Sequence, residues 1–541
     1  MRALLALLAM IGCLPAHAAE PDRYDVIIRN GRVLDGLGNP WVYADIAIRG
    51  GRIVEVGRIA GRATREIDAT GRYVSPGWID LMDQSGEVLR TSGLAENKLL
   101  QGVTSAIGGE GGTPVPAGQI ADYFKELETK GISLNFGTYY SSAQARVDVM
   151  GDGAGAPTPA QLEQMKARVD TAMQAGAMGI ATALIYPPDS FQATADLIEL
   201  AKVAAARGGI YASHMRDESA GLLTAIGESI EIGERAGIQV EIFHFKGAYQ
   251  PGWGKLVPQA IAQIDAARSR GVSINADMYL YTAGGTGLDI TVPNWVWEKG
   301  FDQGVKQLRN RRTRERLKRE IAAGSQPGWS NLIEASGGWD HVMLANAFNP
   351  RYDKYRYKSI QFIAQELQQE PADVAWDILL GALPNRAMAL YFMMSEGDIE
   401  TALKMPWMAI GSDAAASEQL GKTDALGLPH PRSYGTFPRL IAEYVRKRGV
   451  ITLEDAVRKM TSLAATRMRQ FDRGAIRVGT WADLTVFDYE HIQDNATYEN
   501  PVAPPTGIDY VLVNGELVVD AGRHTGKKPG RVLRNSGYRA P

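Results

Sequence analysis

The feature that most restricts the fold is an alternation of short apolar stretches with amphipathic ones between residues 76 and 465. Two amphipathic stretches, 159–176 and 190–208, have the spacing of helices with one apolar face. Repeated strand–helix units over this length predict an α/β fold, a parallel sheet closed into a TIM-like (β/α)₈ barrel. An open doubly wound sheet is the alternative. The strand candidates include SLNFGTYYS, MGIATAL, GIYASHM, QVEIFHF, SINADMY and MAIGSDAA.

Both ends of the chain have a different texture, with apolar and polar residues alternating at period two. It is seen in DVIIRNGRVLDG and YADIAIRGGRIVEVG near the start, and in IDYVLVNGELVVDAGR near the end. The pairs Asn30-Gly31, Gly50-Gly51 and Asn514-Gly515 fit tight hairpin turns. We therefore expect residues 20–75 and 466–541 to be the two halves of one small β-sandwich, separated in sequence by the barrel.

Residues from about 287 to 358 depart from the strand–helix rhythm and predict an insertion, a lid over the barrel mouth. They contain Trp295, Trp297, Trp329 and the charged run RNRRTRERLKRE. Acidic residues dilute this run, and the whole chain carries a net charge of −3. The run therefore predicts a solvated helix face, and no nucleic-acid partner is expected.

The first residues, MRALLALLAMIGCLPAHAA, have the features of a signal peptide at 1–19, cleaved near Ala18 or Ala19. We expect export across the inner membrane to the periplasm, with an uncleaved anchor and a lipoprotein signal ending at Cys13 as alternatives. No second long apolar run follows, so no stable membrane insertion is expected. Because Cys13 is the only cysteine, a metal ion in the mature chain must use nitrogen and oxygen ligands.

Four polar residues stand where strand candidates end or just beyond. They are Glu110, His214, His244 and Asp413. Reactive groups of such barrels project from the carboxyl ends of the strands, so these four predict a site at the barrel mouth. Each alone has an ordinary structural explanation, a hydrogen-bonded histidine or a helix cap.

Longer motifs resemble the amidohydrolase superfamily, and within it the N-acyl-D-amino-acid deacylases, or D-aminoacylases. They include VSPGWID, YASHMRDE, IFHFKGA, AIGSDAA, HPRSYGTFPR and GTWADLTVFD. Two departures stand out. Met82 and Gln84 occupy the positions where the superfamily has the two metal-binding histidines of an HxH motif, and Glu110 stands in a loop where the deacylases often have a cysteine ligand.

The resemblance implies one Zn²⁺ held by Glu110, His214 and His244, with a fourth position for water. Asp413 is then the catalytic acid–base residue. Further residues are candidates for substrate binding. Lys246 is the candidate partner of the substrate carboxylate, and Arg216 is the alternative for that role. The candidates are Lys246, Tyr186, Tyr279, Arg216 and His430. A loop-structuring role for His430 and core packing for the tyrosines are the alternatives.

The predicted function is metal-dependent hydrolysis of a linear amide, an N-acyl-D-amino acid cleaved to a carboxylate and a D-amino acid. The preference for D substrates comes from the resemblance alone. Two alternatives are kept: a cyclic amidase or dipeptidase of the same superfamily, and a non-catalytic binding protein on a decayed barrel. The expected partner is a small-molecule substrate, and association into a homo-oligomer is left open.

Overall fold

The computed structural model describes residues 23–326, 328–417 and 427–539. The predicted signal peptide at 1–19 therefore lies outside the described residues. The strands are β1 (Arg23–Val33), β2 (Val42–Arg49), β3 (Arg52–Gly57), β4 (Arg62–Asp68), β5 (Tyr73–Pro76), β6 (Trp78–Asp83), β7 (Val103–Gly108), β8 (Asn135–Thr138), β9 (Tyr140–Ser141), β10 (Gly179–Ala183), β11 (Ile210–His214), β12 (Val240–Ile242), β13 (Ile274–Met278), β14 (Ala283–Gly287), β15 (Val342–Asn346), β16 (Met388–Phe392), β17 (Met408–Ile410), β18 (Leu484–Phe487), β19 (Ile508–Val513), β20 (Glu516–Asp520) and β21 (Arg523–His524).

The helices alternate with strands over much of the chain, and short 3₁₀ turns lie between some of the elements. A π-helix, Leu440–Lys447, continues directly from α15. The α-helices are α1 (Val88–Thr91), α2 (Glu96–Leu99), α3 (Ile120–Lys130), α4 (Ser142–Met150), α5 (Pro159–Gln174), α6 (Thr194–Ala206), α7 (Leu222–Ala236), α8 (Leu256–Ser269), α9 (Phe301–Leu308), α10 (Arg311–Ala323), α11 (Leu332–Ala335), α12 (Ile360–Leu367), α13 (Pro371–Ala382), α14 (Glu396–Leu403), α15 (Arg432–Arg439), α16 (Leu453–Met460) and α17 (Ser462–Arg467).

Parallel strands form a closed barrel. One sheet runs β17-β13-β12-β11-β10-β9 and another runs β6-β7-β8. Only Tyr139 separates β8 from β9, and a parallel bridge between Asp83 and Ala414 brings the β6 edge to the β17 edge. The two sheets are thus one ring of eight strand positions among the described residues, which confirms the predicted (β/α)₈ barrel.

Local sequence signals explain why helices follow these strands. In α5 the Thr158 hydroxyl accepts from the Gln161 amide while the Gln161 side chain accepts from the Thr158 amide, and Pro159 starts the helix. This reciprocal cap satisfies amides that the first helical turn leaves free. The predicted helices at 159–176 and 190–208 are α5 and α6.

Strands from both chain ends share one nine-stranded sheet, ordered β21-β20-β19-β18-β5-β1-β2-β3, with β4 on β1. The antiparallel β5–β18 pair joins the two ends, Leu484 facing Pro76 and Phe487 facing Tyr73. An apolar cluster beneath it takes Ile28 and Ile46 from one end and Leu512 from the other. The prediction that the chain ends together build a small β domain is confirmed.

The insertion has its own small sheet and apolar core. Its antiparallel strands run β14-β16-β15, and a cluster including Trp376, Leu344 and Tyr391 packs against them. It therefore extends from β14 to β16, beyond the 287–358 range of the sequence interpretation. The charged run lies in α10, where Leu317 is the buried residue of the helix.

The C-terminal segment after β21 returns to the barrel. The Phe136 amide donates to Arg531 O at 2.9 Å and the Leu533 amide to Phe136 O at 2.8 Å. The buried Asn535 Nδ2 donates to Met173 O and Ala177 O, both at 2.9 Å. The segment thus ties β8 to the end of α5. Among the described residues, no helix combines the length and apolarity needed to cross a bilayer.

Candidate metal centre

Glu110, His214 and His244 converge at the carboxyl end of the barrel. Glu110 follows β7, His214 is the last residue of β11, and His244 follows β12. Glu110 Oε1 lies 2.6 Å from His214 Nδ1 and 3.2 Å from His244 Nε2. Their candidate ligand atoms all lie within 4.8 Å of one another. The structure brings together the three residues that the sequence predicted as metal ligands.

Two backbone features hold these side chains in place. Gly109 has φ +104°, and a Cβ there would come within 2.7 Å of Thr138 Oγ1 and Tyr139 O. Only glycine fits this turn, which directs Glu110 into the barrel mouth. His244 has φ +35°, a left-handed conformation that is strained for a non-glycine residue, and its amide donates to Asp277 Oδ1 at 2.8 Å.

The chemistry of the trio fits a divalent metal ion. Two imidazoles and one carboxylate are a recurrent ligand set of catalytic zinc sites. The buried His214 Nε2 finds no hydrogen-bond partner among the described residues, so hydrogen bonding alone does not satisfy this ring. Burial alone raises the pKa of Glu110, but the two histidines outweigh it and hold that pKa well below its usual value. Glu110 is therefore an anion, the form in which a carboxylate binds metals.

Glu218 supports the two histidines from behind and was not singled out from the sequence. Its Oε1 lies 3.0 Å from His244 Nδ1 and 2.6 Å from Lys246 Nζ, and its Oε2 lies 3.5 Å from His214 Nε2. Burial raises its pKa, but Lys246 and the two histidines reverse the shift and leave the pKa below its ordinary value. A carboxylate behind an imidazole orients the ring toward a metal ion. Glu218 is the final residue of the HMRDE motif, which was the available signal.

Asp413 stands beside the trio on the far side of Gln84. It has φ +50°, and its amide donates to Met82 O at 2.9 Å. Its Oδ1 accepts from Gln84 Nε2 at 3.1 Å, and its Oδ2 lies 2.7 Å from Arg432 Nη1. The predicted acid–base residue is thus fixed at both carboxylate oxygens.

The sequence analysis did not identify Arg432, and it named the nearby His430 as a substrate-binding candidate. His430 does not line the cavity: its Nε2 lies 2.9 Å from Ala283 O, and its Nδ1 accepts from the Arg432 amide at 3.0 Å. Burial, then the Arg432 charge, holds its pKa well below the usual value, so the ring is neutral. These contacts favour the alternative role of His430, which is to structure the loop that presents Arg432. Substrate binding by His430 stays a prediction.

Arg216 is a further predicted substrate-binding residue, and its side chain lies against another element of the fold. Its guanidinium binds Glu228, with Nε 3.0 Å from Oε2 and Nη2 2.8 Å from Oε1, and Nη1 donates to Ser190 O at 2.8 Å. It does not line the cavity. The residue follows strand β11, but its long side chain turns toward α7, where Glu228 attracts it.

A cavity of about 480 Å³ opens over the trio. The predicted residues Lys246, Tyr186 and Tyr279 line it, together with Arg432. Tyr186 Oη lies 2.8 Å from Thr286 Oγ1, and Arg386 is held by Asp289, Nε to Oδ1 2.8 Å. Apolar side chains form much of the rest of the wall. Leu332, Phe348 and Met388 come from the insertion, and Ile185, Met393 and Leu428 lie outside it.

The sequence of this chain matches a known protein family. The amidohydrolase family matches residues 65–519. Two curated relatives from Alcaligenes xylosoxydans xylosoxydans are each 31% identical: an N-acyl-D-glutamate deacylase, over 95% of this chain and 97% of the relative, and a D-aminoacylase, over 95% and 98%.

Solved structures agree. An N-acyl-D-glutamate deacylase from Bordetella bronchiseptica, complexed with zinc and a phosphonate mimic of the tetrahedral intermediate, is 28% identical with TM-score 0.78, over 95% of this chain and 100% of that chain. A D-aminoacylase described as having a binuclear metal centre, with one-metal activation and second-metal attenuation, is 29% identical with TM-score 0.79, over 94% and 100%. The chain belongs to the amidohydrolase family, among the N-acyl-D-amino-acid deacylases.

Proposed function

We propose that the protein is a one-zinc deacylase that hydrolyses an N-acyl-D-amino acid to a carboxylate and a free D-amino acid. The observation that carries the proposal is the meeting of Glu110, His214 and His244 with Asp413 in one cavity. Zinc is proposed because its preferred ligands include imidazole and carboxylate, and because a deacylase relative was solved with zinc. The D configuration is proposed from the relatives, both named for D-amino-acid substrates.

Asp413 performs the proton transfers. A zinc ion on the trio supplies Lewis acidity, which polarises the amide carbonyl and acidifies water. Asp413 accepts a proton from the attacking water while the water oxygen forms a bond to the amide carbon. It then returns that proton to the nitrogen as the carbon–nitrogen bond breaks, so the amine leaves neutral. Because Gln84 and Arg432 hold the two Asp413 oxygens, the carboxylate stays aligned through both steps.

Arg432 is proposed as the main partner of the substrate carboxylate. Its buried Nε and Nη1 have no hydrogen bond of good geometry among the described residues, although Nη1 lies close to Asp413. A guanidinium matches a carboxylate through two parallel hydrogen bonds. Lys246 also lines the cavity, but its ammonium already donates a hydrogen bond of good geometry to Glu218 at 2.6 Å. Lys246 and Tyr279 therefore assist Arg432 in this proposal.

Asp413→Asn tests the proposal, because the amide keeps the shape and loses the proton acceptor. We expect one zinc per chain to remain and kcat on N-acetyl-D-amino acids to fall by about 10²- to 10⁴-fold. Metal analysis and steady-state kinetics on the D and L enantiomers measure this. Unchanged turnover in the variant would remove Asp413 from its role.

The two alternatives are separated by the same assays. D-hydantoinase is 16% identical with TM-score 0.57, so its likeness supports the fold alone. Turnover of hydantoins or dipeptides without turnover of N-acyl-D-amino acids would favour the cyclic amidase or dipeptidase. A chain that binds no metal and turns over none of these substrates would be the non-catalytic binding protein.

A further inference from the structure

Gln84 lies between two carboxylates of the site. Its Nε2 donates to Glu110 Oε2 at 2.6 Å and to Asp413 Oδ1 at 3.1 Å. Ionised carboxylates only accept hydrogen bonds, so the amide nitrogen, with its two hydrogens, must face them. One NH₂ group thus bridges the proposed metal ligand and the proposed acid–base residue. The Gln84 backbone is also anchored, because its N–H donates to Ala414 O at 3.2 Å.

The two oxygens of Glu110 have separate partners. Oε1 faces both histidines, at 2.6 Å from His214 Nδ1 and 3.2 Å from His244 Nε2. Oε2 faces Gln84. The Gln84 side-chain amide therefore fixes the rotation of the Glu110 carboxylate and leaves only its Oε1 facing the two histidines.

Met82 offers no ligand to a second ion. Its side chain is 1% exposed and packs in an apolar cluster inside the barrel with Leu81 and Ile107. A thioether in this setting is a poor ligand for zinc. Met82 contacts the site through its backbone carbonyl, which accepts from the Asp413 N–H. Neither Met82 nor Gln84 supplies the imidazole that a second metal position would use.

We propose that Gln84 is a positioning residue that replaces a second metal ion. Its NH₂ group compensates the facing charges of Glu110 and Asp413, as a cation between them would, so that the centre holds one zinc and excess zinc does not attenuate it. The kinetic part rests on the proposed deacylase function. The metal stoichiometry does not.

The test is a zinc titration of the full mature protein with two readouts, bound zinc per chain after desalting and deacylase activity. We expect the unaltered protein to saturate at one zinc and its activity to stay level in excess zinc. Gln84→Glu replaces both donors with a third carboxylate. This variant should take up a second zinc, and its kcat should fall about tenfold or more because the new charge repels Asp413.

Two further variants separate positioning from folding. Gln84→Met keeps the length of the side chain without donors, and it should bind one zinc with kcat reduced about tenfold. Gln144→Glu is the matched control: Gln144 donates to Val115 O at 2.9 Å and does not line the cavity, so the same added charge should leave one zinc per chain. Melting temperatures check that each variant folds.

Two zinc ions in the unaltered protein would overturn the inference, as would a folded Gln84→Glu that still binds one zinc with unchanged kcat. These failures are distinct from failure of the proposed function. A chain with the expected stoichiometries but no deacylase activity would refute the deacylase alone, because the stoichiometry readout needs no substrate.

Discussion

At the scale of single residues, the site depends on what each buried charge faces. Lys246 and Arg432 are both cations in the cavity wall, but Glu218 accepts from Lys246 in good geometry while two nitrogens of Arg432 lack such a partner. Burying an unsatisfied donor costs free energy that a bound acceptor recovers. Arg432 is therefore the cation best prepared to recognise a substrate anion.

Replacement of Arg432 by lysine tests this difference. We expect Arg432→Lys to raise KM for an N-acetyl-D-amino acid about ten- to a hundredfold, since a charged hydrogen bond is worth about 1.5–3 kcal/mol. The measurement is kcat/KM for the acid divided by kcat/KM for its carboxamide, a ratio that should fall. Arg386→Lys is the control, because Asp289 holds Arg386 and the ratio should not change. An unchanged ratio in Arg432→Lys would assign the carboxylate to another residue.

At the scale of elements, the ligands depend on the turns that follow strands. The strand ends bring Glu110, His214 and His244 to one level, and the turn at Gly109 then sets where Glu110 points. His244 and Asp413 both have positive φ. Strained conformations of this kind cost about 1–3 kcal/mol each and persist where the surrounding structure holds them.

Gly109→Ala should displace Glu110 and lower zinc affinity. The new Cβ meets Thr138 and the Tyr139 backbone, and alanine is strained at φ +104°. Bound zinc after desalting measures the effect. Gly111→Ala is a matched control two residues on, since a Cβ there meets nothing within 4 Å. Full zinc retention by a folded Gly109→Ala variant would show that the turn does not position the ligand.

At the scale of the whole molecule, segments distant in sequence close the structure. The β5–β18 pair joins the two chain ends, and the C-terminal segment then reaches back to β8 and α5. Asn535 is the residue of this segment with two buried side-chain hydrogen bonds to the barrel. The fold therefore depends on the last residues of the described chain as well as on the barrel itself.

Asn535→Ala should lower the free energy of unfolding by about 1–3 kcal/mol, because two buried carbonyls lose their donor. Urea unfolding followed by circular dichroism measures it. The exposed Asn495, whose Nδ2 donates to Pro504 O at 2.9 Å, gives the control Asn495→Ala, expected within about 0.5 kcal/mol of the unaltered protein. Equal stability of the two variants would show that the Asn535 hydrogen bonds do not stabilise the fold.

Export of the protein is a prediction that rests on the sequence of its first residues. We propose that residues 1–19 are a cleaved signal and that the mature protein is periplasmic. Expression in a Gram-negative host, fractionation and N-terminal sequencing should find the protein in the periplasm, beginning near residue 19 or 20. A full-length N-terminus on cytoplasmic protein would contradict the proposal.

Periodicity was enough to predict the barrel and the shared β domain. Strand-end position indicated four residues that the structure brings to one cavity, and their roles stay predictions. These properties are local: a strand is recognised from its own residues, and a parallel barrel places all strand ends on one face. Motif likeness then indicated the chemistry, while the metal count stays a prediction.

Only the tertiary structure decided the partners of the long side chains. Arg216 binds Glu228, and His430 accepts from the Arg432 amide. Glu218 and Arg432 lie in the site although the sequence analysis did not identify them. Gln84 reaches Asp413 across 329 positions of sequence. A flexible polar side chain goes to whichever opposite charge or acceptor the fold brings near, and that proximity is absent from the sequence around either residue.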